Sequence, residues 1–128
     1  MKYEVVFEPY AERHFIRTFA KKYQGAWDRT LKGLILEFSL VDLLFEKNIA
    51  ETVTDSKDVK ICKTEFKIAG TDISRKASGN RCIIAVHKEI GVVKVLLVYH
   101  HGDLVGRNET TAWRKIVQEN FDEYKHLF

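Results

Sequence analysis

Apolar residues recur at helical spacing along the first third of the chain. After Pro9, which suits a first helical turn, Ala11, Phe15, Phe19 and Tyr23 follow at intervals of four, and Gly25 can end this helix. A second helix is predicted from about Ala26 to Asn48, and its apolar stripe is wider than one packed face requires. This width indicates a second surface that packs against the first helix, another subunit or a partner helix.

The middle of the chain changes to the pattern of β-strands. After a polar stretch at 51–60, predicted to be a loop, four runs favour strands: ICKTEFKIAG, TDISRKAS, NRCIIAVHKE and VVKVLLVYHH. Glycine-containing turns at Ser78–Asn80 and Glu89–Gly91 connect the last three runs as hairpins.

A short strand from Lys2 to Phe7 precedes the helices, and Asn108 can cap a last helix that lies back on the domain. The order is therefore β, α, α, three or so strands formed by the four runs, and α, which we write as β-α-α-β-β-β-α. It predicts an α+β fold with a small antiparallel sheet packed on one face by helices and partly open on the other.

Length and composition fit one globular domain spanning residues 1–128, because 128 residues with 45% hydrophobic content can bury one core. No apolar run reaches the roughly 18 residues of a membrane span, and the first residues do not follow the order of a signal peptide. We therefore expect a cytoplasmic protein with no membrane partner. Cys62 and Cys82 are expected to be free thiols.

Positive charge is concentrated in the middle of the chain. The net charge is +3, but between Lys57 and Lys94 nine lysines and arginines face only four acidic residues. Such a field suits a phosphate-rich partner, although lysines that merely solvate a strand surface explain it equally well.

The most distinctive polar feature is the pair His100 and His101 at the end of an apolar run. Because side chains alternate along a strand, at most one of them faces a given site, which argues against a paired metal clamp. We expect no metal and no cofactor. One histidine is either an acid or base near neutral pH or an ordinary residue at a strand end.

Arginine and lysine side chains complete a possible cluster with one of these histidines. Arg81 opens the third of the four runs and either binds a phosphate through its planar fork or forms a surface salt bridge with Asp72 or Glu89. One of Arg75 and Lys76, assigned to the preceding strand, can face the same side. Such a cluster binds a phosphate, stabilises added charge and protonates a leaving oxygen.

The element order, the segment FKIAGTDISRKASGNRCIIAVHKEIGVVKVLLVYHHGD and the closing NETTAWRKIVQENFDEY together resemble the RelE/ParE superfamily of toxins. The resemblance covers most of the chain from Phe66 onward, and Gly79 and Arg81 at the start of the third run are its most specific part. It implies a RelE/ParE-like fold and an mRNA interferase of the RelE/YoeB branch. Such a toxin of a type II toxin–antitoxin system cleaves mRNA on the ribosome by metal-independent attack of a 2′-hydroxyl on the adjacent phosphate.

The resemblance also implies roles for individual residues. Arg81 would stabilise the charge on the phosphate, His100 or His101 would be the general acid, Arg75 or Lys76 would supply a further cation, and Glu65 would be the general base by analogy with YoeB-like members. RNA would contact a set of cations comprising Lys63, Lys67, Arg75, Lys76 and Lys88. The implied partners are a cognate antitoxin, mRNA and the ribosome, with a homodimer as a further option.

The sequence also departs from this pattern. RelE carries two alternating lysines on the strand before the arginine, whereas the matching positions here hold Asp72 and Ser74 and the cations follow one step later. Tyr124 falls on the apolar face of the last helix, so it is interpreted as packing. A ParE-like gyrase inhibitor without nuclease activity, or an inactive toxin that only binds an antitoxin, is the alternative function.

Overall fold

The structure is a computed structural model that describes residues 2–104 and 108–128. Its strands are β1 (Glu4–Phe7), β2 (Glu51–Asp55), β3 (Lys60–Phe66), β4 (Asn80–His87) and β5 (Val92–His100). Its α-helices are α1 (Pro9–Ala11), α2 (Arg17–Lys22), α3 (Ala26–Ser39), α4 (Val41–Glu46) and α5 (Glu109–Asn120). A π-helical turn, Glu12–Ile16, joins α1 to α2, and 3-10 turns follow β5 (His101–Asp103) and α5 (Asp122–Leu127).

The five strands form one sheet in the order β1-β5-β4-β3-β2. β1 runs parallel to β5, and the other neighbours are antiparallel. The central strands β4 and β5 are buried along almost their whole length, which explains their continuous apolar sequence. The turn between them contains Gly91 at φ 65°, a left-handed conformation that glycine adopts without strain.

Helices cover both faces of the sheet. On one face, α2, α3 and α4 contribute Phe19, Trp27 and Leu44 to a cluster with alternate residues of the central strands. On the other face, Trp113 and Val117 of α5 pack in a second cluster. The α+β class is confirmed, but the expectation of a partly open second face is wrong because α5 covers it.

Two strand assignments also differ from the prediction. The segment 71–78 forms bends and turns rather than a strand, because the Ser78 hydroxyl lies within hydrogen-bond distance of two carbonyl acceptors, those of Phe66 and Arg75, and so favours a compact loop. Arg75 and Lys76 therefore lie in this loop, not on a strand. Conversely, the predicted loop at 51–60 contains β2, whose β-branched residues pair with β3.

The predicted helical boundaries are confirmed at Pro9 and at Asn108, where Asn108 Oδ1 accepts hydrogen bonds from the amides of Thr110 and Thr111. The helix predicted over 26–48 is interrupted at Leu40, whose φ of −116° and ψ of 40° are not helical. Near this break, Ile35, Leu36 and Leu43 remain exposed. Within the described ranges, no helix combines the length and the apolar character needed to cross a bilayer.

Candidate functional site

A row of three polar side chains crosses three neighbouring strands on the sheet face that α5 covers. In the register of the sheet, Glu65 of β3 is paired with Arg81 of β4, and Arg81 is paired with Tyr99 of β5. Residues that are directly paired across strands point to the same face of a sheet. A carboxylate, a guanidinium and a phenol therefore stand side by side.

The first residue of α5 contacts this row. The carboxylate oxygen Oε2 of Glu109 accepts hydrogen bonds from Arg81 Nε at 3.2 Å and from the Tyr99 hydroxyl at 2.7 Å. The same oxygen lies 3.9 Å from Lys63 Nζ. The negative charge sits at the N-terminus of a 12-residue helix, where the helix dipole also favours it.

These contacts use only some of the hydrogen-bond donors of the Arg81 guanidinium. Its Nη1 atom lies 3.8 Å from Glu65 Oε1, beyond hydrogen-bond distance, and it has no hydrogen-bond partner among the described residues. The side chain is 15% exposed, so water contributes little to satisfying it. A buried guanidinium with a free N–H group is a binding position for an additional anionic oxygen.

Tyr99 is fully buried, and its surroundings keep it protonated. Burial, the hydrogen bond to Glu109 and the charge of Glu109 all raise the pKa of its phenol, against the smaller lowering effect of Arg81. The hydroxyl therefore remains a proton donor at every physiological pH.

Four of the predicted site residues line one cavity beside this row. The cavity has a volume of about 280 Å³, and its lining includes Lys63, Glu65, Arg75 and Lys76. Arg75 forms an ion pair with Glu37 of α3, which neutralises it locally. Lys76 is exposed in the loop before β4. Together with Arg81, these residues form the polar site: Lys63, Glu65, Arg75, Lys76, Arg81, Tyr99 and Glu109.

The two histidines do not join the polar site. His100 is paired with Asn80 and lines a cavity on the opposite face of the sheet, among aromatic residues of the first helical segment. Its Nδ1 accepts a hydrogen bond from the Gly102 amide, and its ring meets that of His101 at 4.6 Å. His101 begins the turn after β5 and is exposed. The cluster expected from Arg81, one histidine and one cation of the preceding strand is therefore not formed.

Two of the predicted RNA-binding lysines also lie elsewhere. Lys67 is exposed just after β3, next to a cavity lined by α3. Lys88 lies in the turn after β4, at the opposite end of this strand from Arg81, where it lines a cavity of about 350 Å³ with α4 and the β2–β3 turn. Apart from Lys88, none of the predicted site residues lines that cavity.

Sequence reasoning missed Tyr99 and Glu109. The helix signal Asn108–Glu109 was recognised, but nothing in it indicates that the Glu109 side chain reaches Arg81. Tyr99 becomes visible only through the register of β4 and β5. Cys62 and Cys82 are free and buried as predicted, and burial raises the pKa of the Cys62 thiol to about 12.

Comparisons with known proteins add a similarity of fold. No protein family matches the sequence, and a search of curated proteins found no relative. Among solved structures, the chain is similar to a chain of the archaeal RelE–RelB complex from Pyrococcus horikoshii OT3. The identity is 14%, the alignment covers 80% of this chain and 98% of that chain, and the TM-score is 0.47.

Proposed function

We propose that this protein is the toxin of a type II toxin–antitoxin system and cleaves mRNA as a metal-independent endoribonuclease. The observation that carries the proposal is the row Glu65–Arg81–Tyr99, with Lys63 and Lys76 beside it. This reaction uses a base, an anion-binding cation and a proton donor, and the carboxylate, the guanidinium and the phenol of this row can supply them. The sequence resemblance to RelE/ParE toxins supports the same conclusion independently.

In the proposed reaction, Glu65 accepts the proton of a ribose 2′-hydroxyl, whose oxygen attacks the adjacent phosphorus. Arg81 hydrogen-bonds the phosphate oxygens as negative charge accumulates on them, and its free Nη1 group provides a donor for this purpose. Tyr99 donates a proton to the departing 5′-oxygen. The products are a 2′,3′-cyclic phosphate and a 5′-hydroxyl end.

Tyr99 replaces the histidines as the proposed general acid for a geometric reason. A general acid must reach the leaving oxygen while Arg81 holds the same phosphate. Tyr99 is the strand neighbour of Arg81, whereas His100 lines the cavity on the other face. Arg75 and Lys76 remain proposed contacts to the RNA backbone.

The carboxylate of Glu109 occupies the position that a substrate phosphate requires. Its oxygen accepts from Arg81 and Tyr99, the two groups that would act on the phosphate and the leaving oxygen. Substrate binding therefore needs Glu109, and with it the first turn of α5, to move away from Arg81. The described arrangement is then the resting form of the site.

The proposed partners follow from this function. They are mRNA on the ribosome and a cognate antitoxin in the cytoplasm, and the exposed residues Ile35, Leu36 and Leu43 offer a surface for the antitoxin or for a second copy.

Arg81 provides the direct test. The wild type and Arg81→Ala are added to a translation extract, mRNA 5′ ends are mapped, and the new ends are tested for a 5′-hydroxyl. We expect cleavage by the wild type and a loss of about 10²- to 10³-fold in Arg81→Ala, as for removal of a donor to a transition-state oxyanion.

Arg17→Ala is the matched control, because Arg17 is an exposed arginine on α2. It should cleave as the wild type does, and circular dichroism should show that both variants are folded. Intact mRNA and undiminished translation under an excess of folded wild type would overturn the proposal. Inhibition of gyrase by the same preparation would favour a ParE-like function instead.

A further inference from the structure

A second cavity lies at the same end of the sheet as Arg81 but on the opposite face. It has a volume of about 290 Å³ and lies between the first helical segment and the residues Asn80 and His100, with Asp103 nearby. The polar site does not use it. Its walls combine aromatic rings with a few convergent polar groups, the usual character of a small-ligand site.

Asn80 is the residue that points to a ligand. It is 4% exposed, and its side-chain oxygen Oδ1 is buried with no hydrogen-bond partner among residues 2–104 and 108–128. Nearly all buried polar atoms in native proteins have a partner, so an unpaired amide oxygen in a residue that lines a cavity indicates a missing one. An amide pairs well with the edge of a nucleobase, which offers adjacent donors and acceptors.

The aromatic residues of the cavity suit the faces of such a base. Phe15 and Tyr23 are partly exposed, and Phe19 lies between them in sequence and stacks with Tyr23 at a centroid distance of 6.2 Å. Unpaired bases stack on rings of this kind. Lys22 also lines the cavity, with its Nζ 5.3 Å from the Tyr23 ring centroid, so its ammonium group can contact a phosphate attached to the base.

We propose that this cavity binds one unpaired nucleotide, with its base held by Asn80 and the aromatic rings and its phosphate by Lys22. That the nucleotide belongs to the RNA substrate rests on the proposed function. Asn80 and Arg81 are consecutive residues on opposite faces of β4, so a single strand passing around the end of the sheet reaches both. The cavity then selects the nucleotide next to the cleaved bond.

The experiment measures binding without cleavage. The full chain is titrated with each of the four nucleoside 5′-monophosphates, and amide chemical shifts are followed by NMR. We expect saturable shifts of the Tyr23, Asn80 and His100 amides, with a preference among the four bases. Lys22→Met should reduce the difference in binding affinity between a nucleoside monophosphate and the corresponding nucleoside.

Thr18→Trp fills the cavity from an exposed position, and Ala20→Trp adds the same ring to an exposed position of the same helix that does not line it. Thr18→Trp should weaken binding at least tenfold, and Ala20→Trp should leave it unchanged. Absence of shifts, or equal weakening by both variants, overturns the proposal. RNA cleavage without nucleotide binding rejects only the cavity, whereas nucleotide binding by a protein that does not cleave RNA rejects only the proposed nuclease.

Discussion

At the scale of single residues, the proposed function depends on one phenol, that of Tyr99. Removing the Tyr99 hydroxyl in Tyr99→Phe deletes the proposed general acid and its hydrogen bond to Glu109. We expect mRNA cleavage to fall by about 10²-fold or more, the usual contribution of a general acid. Stability should fall by only about 1–3 kcal/mol, the typical cost of a hydrogen bond to a charged group. Cleavage rates and urea unfolding of the same samples measure the two effects.

Tyr124→Phe separates catalysis from folding. Tyr124 is also a buried tyrosine on the α5 side of the sheet, and its hydroxyl lies 2.7 Å from His87 Nε2, outside the polar site. Its loss should lower stability to a similar degree without reducing cleavage. If both variants cleave equally well, Tyr99 is not the acid, and separate His100→Ala and His101→Ala variants become the next test.

The sequence could not show whether Tyr99 or His100 lies beside Arg81, because a single extra residue in β5 decides this. From the turn at Gly91, β4 and β5 pair regularly as far as Ile84 and Val95, and regular alternation beyond that point would turn His100 toward the face of Arg81. Instead, β5 contains an additional residue, Leu96, between the partners of Ile84 and Ile83. This β-bulge reverses the alternation and brings Tyr99 beside Arg81. A bulge within a run of apolar residues leaves no signal in the sequence.

At the scale of elements, the proposed mechanism requires α5 to control access to the polar site through its first residue, Glu109. Glu109→Gln removes the negative charge that neutralises Arg81 and Lys63, but it keeps the size of the side chain. We expect single-stranded RNA to bind about three- to tenfold more tightly, which corresponds to roughly 0.7–1.4 kcal/mol. Fluorescence anisotropy with an RNA carrying 2′-O-methyl groups measures binding without cleavage.

Glu119→Gln is the control on the same helix. Glu119 is exposed, and among the described residues its ion-pair partner is Lys115 at 3.9 Å, a surface pair that contributes little energy. It changes the net charge of the protein by the same amount, so any general electrostatic effect appears in both variants. Weaker or unchanged binding in Glu109→Gln would mean that Glu109 does not compete with the substrate.

The sequence predicts the helices and the strands β3 to β5 well, but it predicts β2 and the segment between β3 and β4 poorly. Long periodic runs determine α3, α5, β4 and β5, because many apolar side chains specify each one. β2 is a short edge strand of mostly polar residues, so no apolar alternation reveals it. The segment 71–78 contains Ile73 between polar residues and resembles a strand, but its serine side chains hydrogen-bond to the local backbone. Predicting a strand at 71–78 places the two positions that match the alternating lysines of RelE at 72 and 74. In the structure, the strand before β4 is β3, and its alternating polar residues are Lys63 and Glu65.

At the scale of the whole molecule, the excess of positive charge is divided between the two ends of the sheet. Lys63, Lys76 and Arg81 lie at the polar site, whereas Lys88 lies beyond the other end of β4. The eight residues of β4 separate these ends by roughly 25 Å, at about 3.3 Å per residue. At physiological ionic strength the Debye length is only about 8 Å, so the two ends act as separate fields. RNA bound at the polar site should therefore make phosphate contacts, and release counterions, at that end of the sheet only.

The salt dependence of RNA binding tests this division. For single strands, the slope of log K against log[salt] changes by about 0.7 for each phosphate contact. Lys76→Ala should therefore reduce the slope by about 0.7, whereas Lys88→Ala, which removes the same charge from a position that is also exposed, should leave it unchanged. Equal reductions in both variants would mean that RNA follows the whole basic middle region, as the sequence alone suggests. A reduction for Lys88→Ala only would move the RNA-binding surface to the far end of the sheet, away from Arg81.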